Sequence, residues 1–341
     1  MNTKITVVIP TYNKAAYISQ TIESILRQTY QDFEIVIIDD CSKDDTELVV
    51  QKYLSEKIRY FKHTRNWGPG ATFNDGIEKS NTEYITLIAS DDVLLPNHLE
   101  QVMLQFKKDD LVETVFPRLK VIDESGNDLN EIIQQPFFDK YKILNHLFYA
   151  GNDIPSPGVS FKKTLFKKTA AYNQNLIMMH DYDLNVRCLI HGKTAVVNEP
   201  TVFYRRFSNP IINLSGKTRW LDMCRSIESK FVLDNYLSLD YDEIKKVFPQ
   251  LKTCNQEEIK FRLLIDTCKN KQLRLSSWAF ERLITYLENN KDFFSTNVFD
   301  FQYKDYIDLY KVNAKNIIGK THKEKLYNDA KILIKKMFGL Y

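Results

Sequence analysis

The chain has 341 residues, 43% hydrophobic and 27% charged, a balance that permits a sizeable core, excludes wholesale disorder and suits one large domain plus a smaller one. No stretch approaches the roughly 18 apolar residues of a spanning helix, and the run Ile5 to Ile9 is too short for a signal-peptide core, so a cytoplasmic location is expected. The net charge of +3 hides an asymmetry: residues 1–215 carry 24 basic and 27 acidic side chains, residues 216–310 carry 15 of each, and residues 311–341 carry 8 against 2. No nucleic-acid partner is expected. Cys41, Cys188, Cys224, Cys254 and Cys268 are odd in number, scattered and without metal-ligand spacing, and read as reduced. A metal would be held by oxygen ligands, which suits Mg²⁺ or Mn²⁺.

Strand and helix signals alternate over the first 110 residues. Ile5 to Pro10 is an apolar β-rich run ended by proline, and Ala15 to Arg27 follows with Tyr17, Ile18, Ile22, Ile25 and Leu26 at helical spacing. Phe33 to Ile38 reads as a second buried strand, and Ser42-Lys43-Asp44-Asp45 as the capping sequence of a helix. A third strand, Ile58 to Lys62, precedes a glycine-bearing loop at Gly68-Pro69-Gly70 and a short helix. A fourth, Tyr84 to Ala89, runs into Ser90-Asp91-Asp92. This βαβ alternation predicts an α/β fold with a parallel sheet, whose ligands gather at the carboxyl ends of the strands.

Beyond Arg118 the pattern loosens into a turn at Asp123 to Asp128, with strands near Gly158 to Phe161 and Thr194 to Phe207. From about Thr218 the text becomes helical, as in Trp220 to Leu237, Glu257 to Lys269 and Leu275 to Leu287. The expected division is therefore a domain of residues 1–215 and a helical C-terminal region of residues 216–341 ending in a basic tail.

Three acidic sites follow apolar runs or open a helix: Asp39-Asp40, Asp91-Asp92, and Asp181 with Asp183. Each has an ordinary structural reading. Asp40 or Ser42 suits a helix cap, Asp91 or Asp92 a turn, Asp181 an N-cap and Asp183 an ion pair with Arg187. Their joint appearance where an α/β sheet binds ligands favours a functional reading.

The sequence resembles the family-two glycosyltransferases of GT-A fold. The resemblance is carried by Val7-Val8-Ile9-Pro10-Thr11-Tyr12-Asn13, by Thr21 to Tyr30, and by Phe33 to Ser42, which includes Asp39-Asp40. It continues in Arg65-Asn66-Trp67-Gly68 and Ser90-Asp91-Asp92, and thins to His180-Asp181 and Tyr204-Arg205. It implies a GT-A (Rossmann-like) mixed, mainly parallel sheet flanked by helices. By that analogy Pro10 to Asn13 and Asp39 or Asp40 hold the uracil and ribose of a UDP-sugar, and Arg65 lies against the base or a phosphate. Asp92, with Asp91 beside it, matches the metal-binding motif for Mn²⁺ or Mg²⁺. Asp181 matches the catalytic base, although His180 stands where the family usually has an acidic residue, which leaves Asp183 in contention. Arg205, within Tyr204-Arg205-Arg206, could meet the diphosphate or an anionic acceptor.

The resemblance thus implies an inverting enzyme that moves one sugar from a nucleotide-sugar to a hydroxyl of a glycan or lipid-linked acceptor, in bacterial surface polysaccharide assembly. Processive relatives carry Q-x-x-R-W and spanning helices. Here Gly216-Lys217-Thr218-Arg219-Trp220 has only the final pair, which favours non-processive transfer. A dinucleotide oxidoreductase is disfavoured because Pro10-Thr11-Tyr12-Asn13 replaces G-x-G-x-x-G, and a pyrophosphorylase because no glycine- and lysine-rich loop follows the first strand. The remaining alternative is a non-catalytic glycan- or nucleotide-binding descendant of such an enzyme. In the tail, lysines from Lys311 to Lys336 accompany Ile332, Leu333, Ile334, Met337 and Phe338. That pattern suits either peripheral contact with an anionic membrane or a solvated helix packed on the domain.

Overall fold

The structure, a computed structural model, describes residues 5–135, 139–208, 219–290, 293–294 and 298–318. Gly216 to Thr218 and the tail beyond Ile318 lie outside the described residues. In chain order the first unit contains β1 (Ile5–Thr11), α1 (Ile18–Leu26), β2 (Phe33–Asp39), α2 (Thr46–Gln51), β3 (Ile58–Lys62), α3 (Pro69–Lys79), β4 (Tyr84–Leu87), β5 (Val93–Leu94) and α4 (His98–Lys108). It continues with β6 (Val112–Ile122), β7 (Asp128–Ile133), α5 (Lys140–Ala150), β8 (Ser160–Lys162), α6 (Phe166–Thr169), α7 (His180–His191), β9 (Lys193–Arg205) and α8 (Arg219–Asp234).

Among the described residues nine strands form one sheet in the order β3-β2-β1-β4-β8-β6-β9-β5, with β7 beside β6. Strands β3, β2, β1 and β4 are parallel, β8 is antiparallel to both β4 and β6, and β6 is parallel to β9. Following these directions, β1, β2, β3, β4, β6 and β9 all run the same way, so the sheet is mixed and mainly parallel, with helices packed on it. Long β6 was not legible in the sequence. It buries residues on both faces, so it lacks the alternation by which half-buried strands are read.

The inner strands show why these residues pair. Ile5, Val7, Ile9, Phe33, Ile35 and Ile37 join a cluster with Ile18, Ile22 and Ile25 of α1 and Leu99, Val102, Met103 and Phe106 of α4. The alternate residues face the other way. There α3 comes so close that a Cβ on Gly76 would lie 2.2 Å from Val8 Cγ1, so only glycine fits. Gln28 joins the ends of α1 and α4, donating to the carbonyls of Ser24 and Leu95 and accepting from the Leu99 amide.

Strands β1 and β4 then part. The Val8 carbonyl accepts from the Ile88 amide, and by the two-residue period residue 10 faces the same neighbour. Pro10 has no N–H to offer there, and the ladder ends at Val8 and Leu87. β1 connects onward to β2 and β3 on one side, while β4 lies on the other, so this parting is a topological switch point, open at the carboxyl edge.

Two compact units divide the chain, residues 1–235 and 236–341. The boundary lies beyond the one expected near 215, because α8 packs with α7 in the first unit. In the second unit α9 (Tyr241–Val247) starts with a capping box between Asp240 and Glu243, and α10 (Ile259–Cys268) and α11 (Leu273–Asn289) pack through buried Phe261, Leu264, Trp278 and Leu283. α12 (Tyr303–Ile318) packs on α11. Among the described residues no helix is long and apolar enough to cross a membrane, and all five cysteines are free.

His98 is fully buried at the start of α4, its Nδ1 2.9 Å from Thr201 Oγ1. Gly158, at φ +83°, passes so near that a Cβ there would sit 2.9 Å from the imidazole Cε1. Burial pushes the His98 pKa down to about 3 from 6.5. A depressed histidine is neutral in the fold but protonated in the unfolded chain, so its contribution is complete above about pH 6.5 and is lost as pH falls toward about 3, amounting to roughly 2 kcal/mol at pH 5. His98→Gln cannot titrate. The gap in unfolding midpoint between wild type and His98→Gln should therefore narrow from pH 7 to pH 5; a gap independent of pH would contradict this reading.

Candidate active site

The loops leaving β1 and β2 are locked together at the carboxyl edge. Asn13 and Cys41 hold positive φ values of 53° and 69°, conformations costly for non-glycine residues. They are fixed by cross-loop bonds: the Asn13 amide donates to Ser42 Oγ, the Lys43 amide to Asn13 Oδ1, and the Lys14 amide to Thr46 Oγ1. α2 carries no side-chain cap, and Asp44 instead accepts from the Thr46 and Ala15 amides.

Asp39 and Asp40 are both buried and divide their work. Asp39 Oδ1 accepts from the Ser42 amide at 2.7 Å and Oδ2 from the Tyr60 hydroxyl at 2.6 Å, and burial together with Asp39 raises the Tyr60 phenol. Asp40 accepts from the amides of Trp67 and Gly68 at 2.7 and 2.8 Å and lies 2.8 Å from His63 Nδ1. The strand-end carboxylates therefore shape the 41–43 and 63–68 loops. Beside them Tyr12 and Trp67 are 45% and 50% exposed, and the Arg65 guanidinium stacks 4.0 Å above the Trp67 ring. Such planar groups suit a nucleobase.

Asp91 and Asp92 lie just past β4, across the switch point. Asp91 Oδ2 pairs with Lys14 Nζ at 2.6 Å. Asp92 is 1% exposed, its Oδ1 accepts from the Arg205 amide at 2.8 Å, and its carbonyl accepts from Thr21 Oγ1. Burial and the neighbouring Asp91 charge push the Asp92 carboxyl well above the usual range.

Arg205, at the carboxyl end of β9 and 2% exposed, lies beneath this pair. It donates to the carbonyls of Asp91, Asp123 and Glu124 and to Gln20 Oε1, and sits 5.1 Å from the Tyr17 ring centroid. Four of the five N–H groups of the side chain expected to meet the diphosphate or an anionic acceptor are so used, and they tie it to the Asp91-Asp92 turn. Arg206 is turned outward to Glu131.

Strand β8 starts at Ser160 opposite Thr86 and runs antiparallel to β4, so the loop ahead of it lies at the same carboxyl edge, and the first turn of α7 is joined to that loop where Asp181 meets Asn152 and Ser156. The helix begins at His180, which puts Asp181 within the first turn rather than at the N-cap. Asp181 Oδ2 accepts from Asn152 Nδ2 and Ser156 Oγ, each at 3.1 Å, and Oδ1 from the Tyr182 amide. His180 lies beside Tyr172 and Phe73, its Nδ1 3.0 Å from the Ile177 carbonyl. Asp183 is buried and does pair with Arg187, at 2.9 Å from Nε, while its other oxygen accepts from Asn235 Nδ2. Arg187 also donates to the carbonyls of Thr169, Ala170 and Ala171. This pair is thus a buried structural clamp rather than a surface ion pair.

The donors fit a hard divalent cation. Asp91 and Asp92 set two carboxylates side by side in a buried turn, with Lys14 on only one of them. Among the described residues no three histidine, cysteine or acidic side chains cluster as a protein-only cage. The adjacent Asp91 and Asp92 carboxylates are the donor chemistry of Mg²⁺-type sites that take one or two carboxylates and complete the shell with substrate phosphates and water.

Several site residues were not legible in the sequence. Lys14 reaches Asp91 across 77 positions, Gln20 reaches Arg205 across 185, and Asn152 reaches Asp181 across 29. No local spacing encodes such contacts. Lys14 was the most accessible to sequence reading, being the next residue after the Pro10 to Asn13 segment.

Residues 6–170 match the family described as Glycosyl transferase family 2. An uncharacterized glycosyltransferase, MJ1057 of Methanocaldococcus jannaschii, is 30% identical over 206 residues, covering 59% of this chain and 70% of that protein. The chain spans 30% to 57% of the length of several Rickettsia glycosyltransferases. S. aureus TarS 1–349 in complex with UDP-GlcNAc has a similar fold, with a TM-score of 0.60 at 16% identity over 94% of this chain and 93% of that one. The mannosyltransferase PcManGT of Pyrobaculum calidifontis, in complex with GDP-Man and Mn²⁺, has a TM-score of 0.50 at 14% identity over 92% and 84%. The sequence match and the GT-A-like fold agree: the chain belongs to glycosyl transferase family 2 and is a glycosyltransferase.

Proposed function

We propose that the protein transfers one sugar from a nucleotide-sugar, a UDP-sugar in particular, to an acceptor hydroxyl with inversion, using Asp181 as base. The observation that carries this reading is the gathering of Asp91-Asp92 and Asp181 at one sheet edge, with Asp183 already committed to Arg187. The exposed aromatic and guanidinium groups at Tyr12, Trp67 and Arg65 suit the nucleobase, and the loops held by Asp39 and Asp40 suit the ribose. Asp92, with Asp91 beside it, would hold a divalent cation, which would neutralise the charge of the departing diphosphate. The nucleotide-sugars bound by TarS and PcManGT support the donor class.

In the transfer step Asp181 accepts the proton of the acceptor hydroxyl while that oxygen attacks the anomeric carbon. The bond from that carbon to the diphosphate breaks on the opposite face, and the nucleoside diphosphate leaves with the electron pair. A glycan or lipid-linked acceptor in surface polysaccharide assembly agrees with this chemistry, which any accessible hydroxyl satisfies.

Three outcomes test the proposal. EDTA should abolish transfer, and Asp92→Ala should weaken UDP-sugar binding measured calorimetrically in Mn²⁺; full activity in chelator would remove the metal role. Asp181→Asn should lower turnover by at least about 10²-fold with donor affinity little changed. Asp183→Asn should instead act on stability, up to the roughly 3–5 kcal/mol of breaking a buried pair, and keep its turnover at temperatures where it is folded. An active Asp181→Asn beside a folded but inactive Asp183→Asn would move the base two residues along. Finally, a membrane role for the basic tail predicts that binding to anionic vesicles falls when the chain is ended near Tyr310, whereas equal binding by both lengths would exclude that role and leave the solvated helix.

A further inference from the structure

Helix α8 falls past the end of the family match at residue 170, yet it holds the segment that leads into Asp181. Glu228, nearly buried on α8, accepts three consecutive amides: Ile177 on Oε1 at 3.0 Å, and Met178 and Met179 on Oε2 at 2.8 and 2.9 Å. Met179 is the N-cap residue of α7. Residues 177–179 precede the helix, so their amides have no intrahelical partners and would otherwise need water. A carboxylate ahead of a helix N-terminus is also favoured by the helix dipole.

A second contact from the same helix region fixes the next turn. Asn235, just after α8, donates to Asp183 Oδ1, and Asp183 is clamped by Arg187. α8 therefore grips the start of α7 on both sides of Asp181. Among the described residues Asp181 itself bonds to the side chains of Asn152 and Ser156 and to its neighbouring amide. Its placement relative to an acceptor hydroxyl thus depends on how the 177–179 backbone just ahead of it is anchored.

We propose that Glu228 is a positioning residue for the transfer reaction, holding the 177–179 backbone so that the Asp181 carboxylate meets the acceptor. The inference rests on the assignment of Asp181 as base. Misplacement of a catalytic group by about 1 Å costs up to about 10²-fold in rate, and the loss falls on kcat when the donor site is untouched.

The test uses the full chain with Mn²⁺ and whichever of UDP-glucose, UDP-galactose, UDP-GlcNAc and GDP-mannose the wild type hydrolyses fastest. Glu228→Gln keeps one acceptor oxygen and sets an NH₂ against an amide. It should lower kcat by about 10- to 100-fold with the donor KM within about twofold, and Glu228→Asp should fall between it and wild type. Hydrogen exchange gives the readout that a general loss of stability would not: in Glu228→Gln the amides of 177–179 exchange faster while those of β1, β2 and β4 keep wild-type rates. In the wild type these three amides should exchange slowly although they precede the helix, and rapid exchange there overturns the proposal without any variant. Folded Glu228→Gln with wild-type kcat also overturns it, provided Asp181→Asn is inactive. If Asp181→Asn is active, the base assignment fails, and with it the inference that depends on it.

Discussion

Carboxylates at the edge of a buried sheet are costly to hold unless each is given hydrogen bonds, and that requirement organises this protein's first unit. Asp39 and Asp40 draw the Ser42, Trp67 and Gly68 amides toward the strand ends. Asp92 draws the Arg205 amide, and the guanidinium of the same arginine then joins the turns at 91, 123 and 124 to Gln20 on α1. The loops around the candidate donor site are thus defined by the acids they surround. Where the bonding is least complete, at Asp91-Asp92, burial raises the Asp92 carboxyl, and a divalent cation is the partner that would relieve it.

Much of this edge was legible in the sequence. β1, β2, β3 and α1 form from continuous apolar text with helical or strand periodicity, and Asp39-Asp40 stand at the end of β2. Pro10 marks where the β1–β4 ladder ends, and Ser90-Asp91-Asp92 marks the opposite bank of the crevice. In contrast, β6 and α4 carry no such signal. β6 is buried on both faces, and α4 follows β5, only two residues long, without a side-chain cap at its start. The role of Arg205 was read from its position in a motif, whereas its burial depends on groups more than eighty positions away.

The acceptor side is held differently. Nothing in the text near Glu228 points to residues 177–179, about fifty positions earlier, and α8 reads as part of a separate helical region because glycine disappears and helical spacing takes over near residue 218. The contacts reverse that impression. Asn152 and Ser156 meet Asp181 of α7 at the sheet edge, and α8 fixes the entrance to α7. The loops beyond β1 and β2 are bound by acids of the sheet itself and the start of α7 by Glu228 of α8, so on the proposed reading changes in α8 are free to alter transfer without touching nucleotide-sugar recognition.

A single displacement by one carboxylate base has a stereochemical consequence independent of any substitution. The most direct test of the account is the anomeric configuration of the first product formed from an α-linked nucleotide-sugar, followed by proton NMR before mutarotation. The account predicts a β-linked product or, with water as acceptor, the β-anomer of the free sugar, whereas an α product would contradict it.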